Sequence, residues 1–475
     1  MTAPLWTTDE IAATGARLVG DIGAVTGASI DTRTLQPGDL FFAIRGEARD
    51  GHDFVAEALR KGAAAAVVAQ ARAPAFAGTG PLVVAPDVLD AMRALGRASR
   101  RRSQARIAAI TGSVGKTGTK EALRAALSRL GPTHASVASY NNHWGVPLTL
   151  ARMPREAAFG VFEIGMNHAG EIEPLTQLVR PHVAVITAVE PVHIEYFPSV
   201  SAIADAKAEI FSGLEPGGAA VINRDNPFYE RLRAHAGASR AGRIISFGEH
   251  EEADVRAERI LLKPDLSVVE ARMLGAPIIY RLGSPGRHIA VNSLAVLAAV
   301  HALGGDIAVA AMALADLKPP VGRGERTVLR ERGGDILLID ESYNANPASM
   351  RAALATLGQA EPGFRGRRIA VLGDMLELGS DGPALHRELA QAITEHRIDL
   401  AFAAGPLMRN LVDALSPECL GGYAGEAAEI EEAVLAAVRG GDVVMVKGSN
   451  GVRMWRIVQA LKERHGGSAR AAMKG

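Results

Sequence analysis

One cysteine, Cys419, stands in the 475 residues, which excludes an intramolecular disulfide and a zinc site built from cysteines and suits a reducing compartment. Aromatic residues are scarce at 4%, leaving few of the stacking platforms that single-strand nucleic-acid binders use. A surplus of charge is absent as well: 52 Lys and Arg balance 52 Asp and Glu, so no global field draws the chain to nucleic acid or an anionic membrane. Any anion must be gripped locally. The longest apolar stretches, near residues 62–78 and 289–303, are broken by Gln70, Arg72, Asn292 and His301, and neither would span a bilayer. The opening residues meet Asp9 and Glu10 where an export signal would carry a basic and then a long apolar run. The expectation is a cytoplasmic protein with no nucleic-acid partner and no membrane insertion.

What is present is enough apolar material, 48% of the chain, for about three domains of roughly 150 residues each. From Arg106 onward short β-branched runs alternate with helix-length amphipathic runs, the mark of βαβ units in a mainly parallel sheet. Strands are expected at residues 107–110, 161–164, 183–189 and 220–222, followed by an antiparallel edge formed by 267–273 and 277–282. After Pro319-Pro320, which cannot continue a helix, a second α/β stretch of Rossmann-like character has strands at 336–339, 369–372, 400–403 and 443–446. The first hundred residues read as short strands, glycine-rich turns and one helix near 54–61. The basic run 97–106 is read as a solvated linker helix rather than a nucleic-acid patch. The fold class is therefore α/β in three domains, residues 1–102, 103–318 and 319–475.

The sharpest motif follows the strand 107–110: Thr111-Gly112-Ser113-Val114-Gly115-Lys116-Thr117-Gly118, with a helix expected over 119–130. Glycines let backbone N–H groups wrap a polyphosphate at a helix N-terminus, a lysine spreads charge over the terminal phosphates, and a threonine hydroxyl can hold Mg²⁺. The general pattern has Gly where this chain has Ile110. Three further residues sit where a parallel sheet places its ligands, beyond the carboxyl ends of strands. Glu163 ends an apolar strand, where a carboxylate needs a metal or an internal ion pair. His193 follows the strand 183–189, and a lone loop histidine carries little by itself. Lys207 falls on the apolar stripe Ile203, Lys207, Ile210, Phe211 and Leu214 of a helix expected over 201–214. A buried lysine either snorkels, pairs with Glu163 or Glu209, or loses its proton and takes up CO₂ as a carbamate.

Taken in order, Thr111-Gly112-Ser113-x-Gly115-Lys116-Thr117, Tyr140-Asn141-Asn142, Glu163-Ile164-Gly165-Met166-Asn167, His193 and Ala206-Lys207-Ala208-Glu209 resemble the Mur ligases of peptidoglycan synthesis. The resemblance covers nearly the whole chain. It implies an ATP-dependent amide ligase working through an acyl phosphate. It also implies an N-terminal domain for a UDP-sugar-peptide, a central P-loop domain for ATP and a C-terminal domain that closes over both. In that setting Lys116 steadies the γ-phosphate, Thr117 and Glu163 hold one Mg²⁺, and His193 with a carbamylated Lys207 help hold a second. Asn292, Arg323 and Asp340 are the implied nucleotide contacts, and Ser29, Thr32, Arg33, Asn142, Tyr343 and Asn344 the implied substrate contacts. Tyr343-Asn344-Ala345-Asn346-Pro347 and Val371-Leu372-Gly373-Asp374-Met375-Leu376-Glu377 resemble the branch that joins D-alanyl-D-alanine to UDP-N-acetylmuramoyl-tripeptide. The implied assembly is a monomer. Backbone N–H groups around 448–451, expected to open the last helix, either meet the dipeptide carboxylate or simply cap that helix. Two positions depart from the family: Ile289 where Asn often follows His288, and Asn450 where Arg is common. The alternatives are a sibling ligase adding a diamino acid, folylpolyglutamate synthase, or a nucleotide-hydrolysing switch; no Asn is followed by Lys, so the guanine-reading Asn-Lys-x-Asp is missing.

Overall fold

The computed structural model describes residues 4–46, 49–137, 139–192, 194–331 and 333–466. His193 lies outside the described residues. Strands buried on both faces, such as Asp39–Phe42, Leu82–Ala85, Val183–Ile186 and Val443–Lys447, force layers of helices onto both sides of their sheets, and three such sheets result. All three are mainly parallel with antiparallel edges, in agreement with the α/β class expected from the sequence.

The first sheet orders its strands Arg17–Val19, Leu82–Ala85, Ala65–Ala69, Asp39–Phe42 and Gly27–Ser29. The second has nine strands, in which the P-loop strand Arg106–Thr111 lies between Phe159–Glu163 and Val183–Ile186. Its far edge is the antiparallel ribbon Val255–Leu262, Ser267–Met273 and Ala276–Leu282. The third has six strands, with Ile336–Glu341 beside Val443–Lys447 and the antiparallel Glu325–Leu329 at the edge. Among the described residues, no helix is long and apolar enough to cross a membrane.

The basic run is helical as expected, but it is not simply solvated: it ends the helix Val88–Arg102, whose N-cap Asp87 accepts the N–H of Asp90. Arg100 is 6% exposed; it donates to the carbonyls of Val179 and Arg180 at 2.8 Å each and to Glu215 at 3.1 Å. Arg102 lies 3.7 Å over the Trp6 ring and donates to Glu10, which Arg155 also grips. Charge on this helix thus ties the first sheet to the second, which composition alone did not reveal. Two further boundaries shift. Gly115, at φ 82°, caps the P-loop helix so closely that it begins at Lys116 and runs to Ser128. The lysine-bearing helix is Val200–Ala208, capped by Ser199 and tightening into a 3₁₀ turn over Glu209–Gly213.

Candidate active site

Register assembles the site. Ile110 is level with Glu163 on one neighbouring strand and Thr111 with Ile186 on the other, so the P-loop, Glu163 and the segment from Thr187 to Glu190 emerge side by side at the carboxyl ends of three adjacent strands. Gly112 has φ 150°, and a Cβ there would lie 2.0 Å from Thr187 Oγ1. That hydroxyl donates to the Val114 carbonyl at 2.6 Å and holds the loop's curve. Ser113 is tied to Glu190 in both directions: its Oγ donates to the Glu190 carbonyl and accepts the Glu190 N–H, each at 2.9 Å. Lys116 Nζ folds back to the Gly112 carbonyl at 2.6 Å, which leaves it lying across the loop where terminal phosphates would sit. Enclosure lowers its pKa, Glu163 opposes that, and Arg323 adds to it.

Glu163 is 1% exposed. Its Oε2 accepts the Thr117 hydroxyl at 2.9 Å and its Oε1 accepts Asn141 Nδ2 at 2.8 Å, so both of its described side-chain donors are neutral groups. Lys207 is 3% exposed on the expected stripe, where Ile203, Ile210, Phe211 and Leu214 are also buried. Among the described residues it has neither a hydrogen bond nor an ion pair. Glu209 instead accepts the N–H groups of Gly170, Ile172 and Glu173. Burial drives the Lys207 pKa well below the usual lysine range, and the charge of Lys116 pushes it the same way.

A cavity of about 770 Å³ opens over these strand ends, walled on its other side by the third sheet and its first helix, Pro347–Gln359. Asn292, Arg323, Tyr343 and Asn344 line it. Arg323 stacks 4.2 Å over the Tyr343 ring and reaches Ser139 Oγ at 3.5 Å. Asp340 does not face the cavity: its carboxylate accepts the N–H and hydroxyl of Ser342 at 3.0 and 2.6 Å, and strand alternation turns its neighbour Glu341 inward instead. Glu341 is level with Lys447 on the adjacent strand and pairs with it at 3.3 Å. Enclosure lowers the Lys447 pKa, against the pull of Glu341. The segment 448–451 does not open a helix. Ser449 N–H is taken by the Asp374 carbonyl at 3.0 Å, a 3₁₀ turn spans Asn450–Val452, and the last helix starts at Trp455.

Ser29, Thr32 and Arg33 sit outside this cavity, at the end of the strand Gly27–Ser29 in the first sheet. Arg33 clasps Asp31 with Nη2–Oδ2 at 2.6 Å. The loop Tyr140-Asn141-Asn142 bridges the two regions. Arg152, whose Nε donates to the Ala28 carbonyl at 2.6 Å, lies 6.0 Å over the Tyr140 ring, and Asn141 reaches Glu163. Asn142 Oδ1 accepts the N–H of Gly145 at 2.9 Å and starts the next helix, Gly145–Ala151.

Three family models match in sequence order: "Mur ligase family, catalytic domain" over residues 24–102, "Mur ligase middle domain" over 110–300 and "Mur ligase, glutamate ligase domain" over 322–450. The UDP-N-acetylmuramoyl-tripeptide–D-alanyl-D-alanine ligase of Escherichia coli (strain K12) is 34% identical over 435 residues, 91% of this chain and 93% of that protein. The chain belongs to the Mur ligase family. The ligase of the same name from Rickettsia prowazekii is 32% identical over 90% of this chain and 93% of its own length. Crystal structures of MurF from Acinetobacter baumannii and of MurF from Thermotoga maritima in complex with ADP superpose with TM-scores of 0.83 and 0.74. Their identities are 29% and 25%, and they cover 96% and 92% of this chain and 99% and 97% of those chains.

As a Mur ligase, the chain has residues around the loop that sequence reasoning passed over. Asn141 was legible within Tyr140-Asn141-Asn142, but only the fold shows that Asn141, rather than Asn142, holds Glu163. Thr187, Glu190 and Glu341 follow or end strands, yet nothing in their local pattern says which way they face. The donors at Thr117 and Glu163 suit Mg²⁺: they are hard oxygens on adjacent elements, few enough that the ion would keep waters and phosphate oxygens in its shell. Among the described residues no cluster of three His, Cys, Asp or Glu offers an all-protein cage, which is the less usual arrangement for that ion in any case.

Proposed function

We propose that this chain is the ATP-dependent ligase that joins D-alanyl-D-alanine to UDP-N-acetylmuramoyl-tripeptide in peptidoglycan precursor synthesis. The observation that carries the reading is the meeting, at three adjacent strand ends, of a phosphate loop and the buried Thr117–Glu163 pair, beneath a wall supplied by the third sheet. Residues 1–102 hold the UDP-sugar-peptide through Ser29, Thr32 and Arg33, Asn142 of the central domain joins them, and the 140–142 loop directs the peptide's end toward Glu163. Residues 103–318 hold ATP through 112–118 and Asn292. Residues 319–475 complete the pocket with Arg323, Tyr343 and Asn344.

A carboxylate does not condense with an amine in water, so it must first become a better electrophile. The tripeptide carboxylate attacks the γ-phosphorus of ATP, ADP leaves, and an acyl phosphate remains. Lys116 leaves the Gly112 carbonyl for the phosphoryl oxygens, and the loop N–H groups take the charge that develops there. Thr117 and Glu163 would hold Mg²⁺, which supplies charge neutralisation to the same oxygens, and His193 is the proposed partner of Lys207 at a second ion. Lys207, buried, without an ion-pair partner among the described residues and repelled by Lys116, favours the neutral amine; that amine adds to CO₂, forming an N–C bond and releasing one proton, and the resulting carbamate is an oxygen donor. The dipeptide amine then attacks the acyl carbon, the C–O bond to phosphate breaks, and an amide and phosphate result. Closure of the third domain about the Pro319-Pro320 segment keeps water from the acyl phosphate. The same reading has the enzyme acting as a cytoplasmic monomer.

The test is phosphate release from ATP and Mg²⁺ with UDP-N-acetylmuramoyl-tripeptide, with and without D-alanyl-D-alanine, reading the product by mass. Dipeptide-dependent release with a pentapeptide product is expected. Release stimulated instead by a diamino acid or by glutamate would assign the acceptor to a sibling ligase.

A further inference from the structure

Four carboxylates line the cavity among the described residues, and three of them are engaged. Glu163 accepts from Thr117 and Asn141, Glu249 pairs with Arg287 at 2.9 Å, and Glu341 pairs with Lys447. Glu190 is the exception: its carboxylate makes no hydrogen bond and no ion pair with any described residue. Its main chain, by contrast, is fixed. Both its N–H and its carbonyl bond to Ser113 Oγ, and Lys116 Nζ comes within 3.5 Å of the Ser113 carbonyl. The side chain therefore starts two contacts from the lysine that faces the terminal phosphates. A carboxylate next to a loop that wraps a polyphosphate is repelled by it unless a cation stands between them. The cation whose charge acts on it is Arg351 of the helix Pro347–Gln359, whose Nη1 lies 3.9 Å from Glu388 on its own side.

We infer that Glu190 docks the α-ammonium of the incoming dipeptide against the acyl phosphate and accepts the first proton that nitrogen must lose. The inference rests on the function proposed above. It identifies the one partner in that reaction that brings a positive charge, and Glu190 is the one lining carboxylate that no described residue already pairs or hydrogen-bonds. In the step, one N–H bond of the ammonium breaks and its proton moves to the Glu190 carboxylate. The freed lone pair forms the C–N bond, the acyl C–O bond breaks with its electron pair on phosphate, and the second proton leaves the nitrogen to phosphate. Enclosure raises the Glu190 carboxyl above its ordinary range, with Arg351 opposing, which suits a group that must hold a proton briefly.

The test separates the two half-reactions. With UDP-N-acetylmuramoyl-tripeptide, ATP and Mg²⁺, hydroxylamine traps the acyl phosphate as a hydroxamate without needing an ammonium site. Failure of the unaltered enzyme to give hydroxamate would sink the proposed function itself. Given that signal, E190Q should form hydroxamate within about threefold of the unaltered rate, while kcat/KM for D-alanyl-D-alanine falls about 10²-fold, as expected for loss of a partly buried charge partner. E190D should recover part of the loss. D-Lactyl-D-alanine, with a hydroxyl in place of the ammonium, should lose much less than the dipeptide in E190Q, so the preference between the two shrinks. Equal loss of hydroxamate and amide in E190Q and E190D would move Glu190 to the phosphoryl step and overturn the inference. Unchanged kcat/KM for the dipeptide would overturn it as well, and so would a loss that excess Mg²⁺ repairs.

Discussion

Replacing Glu163 by Gln separates charge from structure more cleanly than any other single change at this site. The side chain is 1% exposed, with Thr117 Oγ1 at 2.9 Å and Asn141 Nδ2 at 2.8 Å. Glutamine keeps the shape and one carbonyl oxygen for Asn141, and the Thr117 hydroxyl can rotate to accept from the new amide, so both hydrogen bonds survive. Folding stability should then move by less than about 1 kcal/mol, the size of one neutral hydrogen bond. Function should not survive so well. One unit charge facing another at roughly 4 Å, at an effective dielectric near 20, is worth about 4 kcal/mol, and a loss of that size in the transition state is about 10³-fold in rate. The assay is phosphate release against Mg²⁺ concentration, beside a urea titration of both proteins. Activity should fall about 10³-fold, the half-saturating Mg²⁺ should rise, and the unfolding midpoint should hold. If E163Q keeps activity within tenfold with an unchanged Mg²⁺ requirement, the carboxylate is a structural acceptor and its assignment to the ion is wrong.

Other outcomes follow from the same geometry. Lys207→Met removes a buried, unpaired amine, so the unfolding midpoint should stay level or rise while ligation is lost; Lys207→Ala should regain activity with formate or acetate, and no regain at any concentration would remove the carbamate. Gly112→Ala places a Cβ 2.0 Å from Thr187 Oγ1 at φ 150°, so ADP binding measured by calorimetry should drop below detection, and unchanged affinity would contradict the loop geometry. His182 carries a pKa lowered to about 4, chiefly by burial and then by Arg100 and Arg106, and its Nδ1 accepts the Ile107 N–H at 3.0 Å. The unfolded chain takes up that proton near pH 6.5, so it binds more protons than the native state as the pH falls from there. Stability should drop by about 2 kcal/mol between about pH 6.5 and 4, after allowance for solvent screening of a half-buried ring. Urea midpoints at pH 7 and 4.5 should show a shallower fall in His182→Gln; equal slopes would discount the histidine.

Much of the second and third sheets was legible because buried parallel strands must be continuous apolar runs, and such runs end in polar residues that have no packing reason to be there. Glu163 stood out in this way, and Lys207 by lying within the apolar stripe of a helix. The first sheet was harder: its strands are short, and the helix Val88–Arg102 hid behind a cluster of arginines that looked solvent-bound. Arginine covers apolar surface with its stem and satisfies distant carbonyls with its fork, so Arg100 can be both charged and buried. That Asp340 turns away from the cavity was hidden for a related reason. The pair Asp340-Glu341 places one carboxylate on each face of its strand, and only the position of the neighbouring sheet decides which face holds the cavity.

By itself the sequence determined the fold class, the phosphate loop and the family, because these depend on periodicity and on short motifs whose backbone geometry is local. It also determined that a lysine would lie within an apolar stripe. Only the tertiary structure decided what that lysine meets, since Glu209 sits two residues away along the chain yet turns to the N–H groups of Gly170, Ile172 and Glu173. It alone decided that Thr117 and Glu163, 46 residues apart, come within 2.9 Å, and that the Glu190 carboxylate has no hydrogen-bond or ion-pair partner among the described residues. Those facts depend on which strands lie side by side and in what register, and register is set by the packing of whole sheets, which no local spacing encodes.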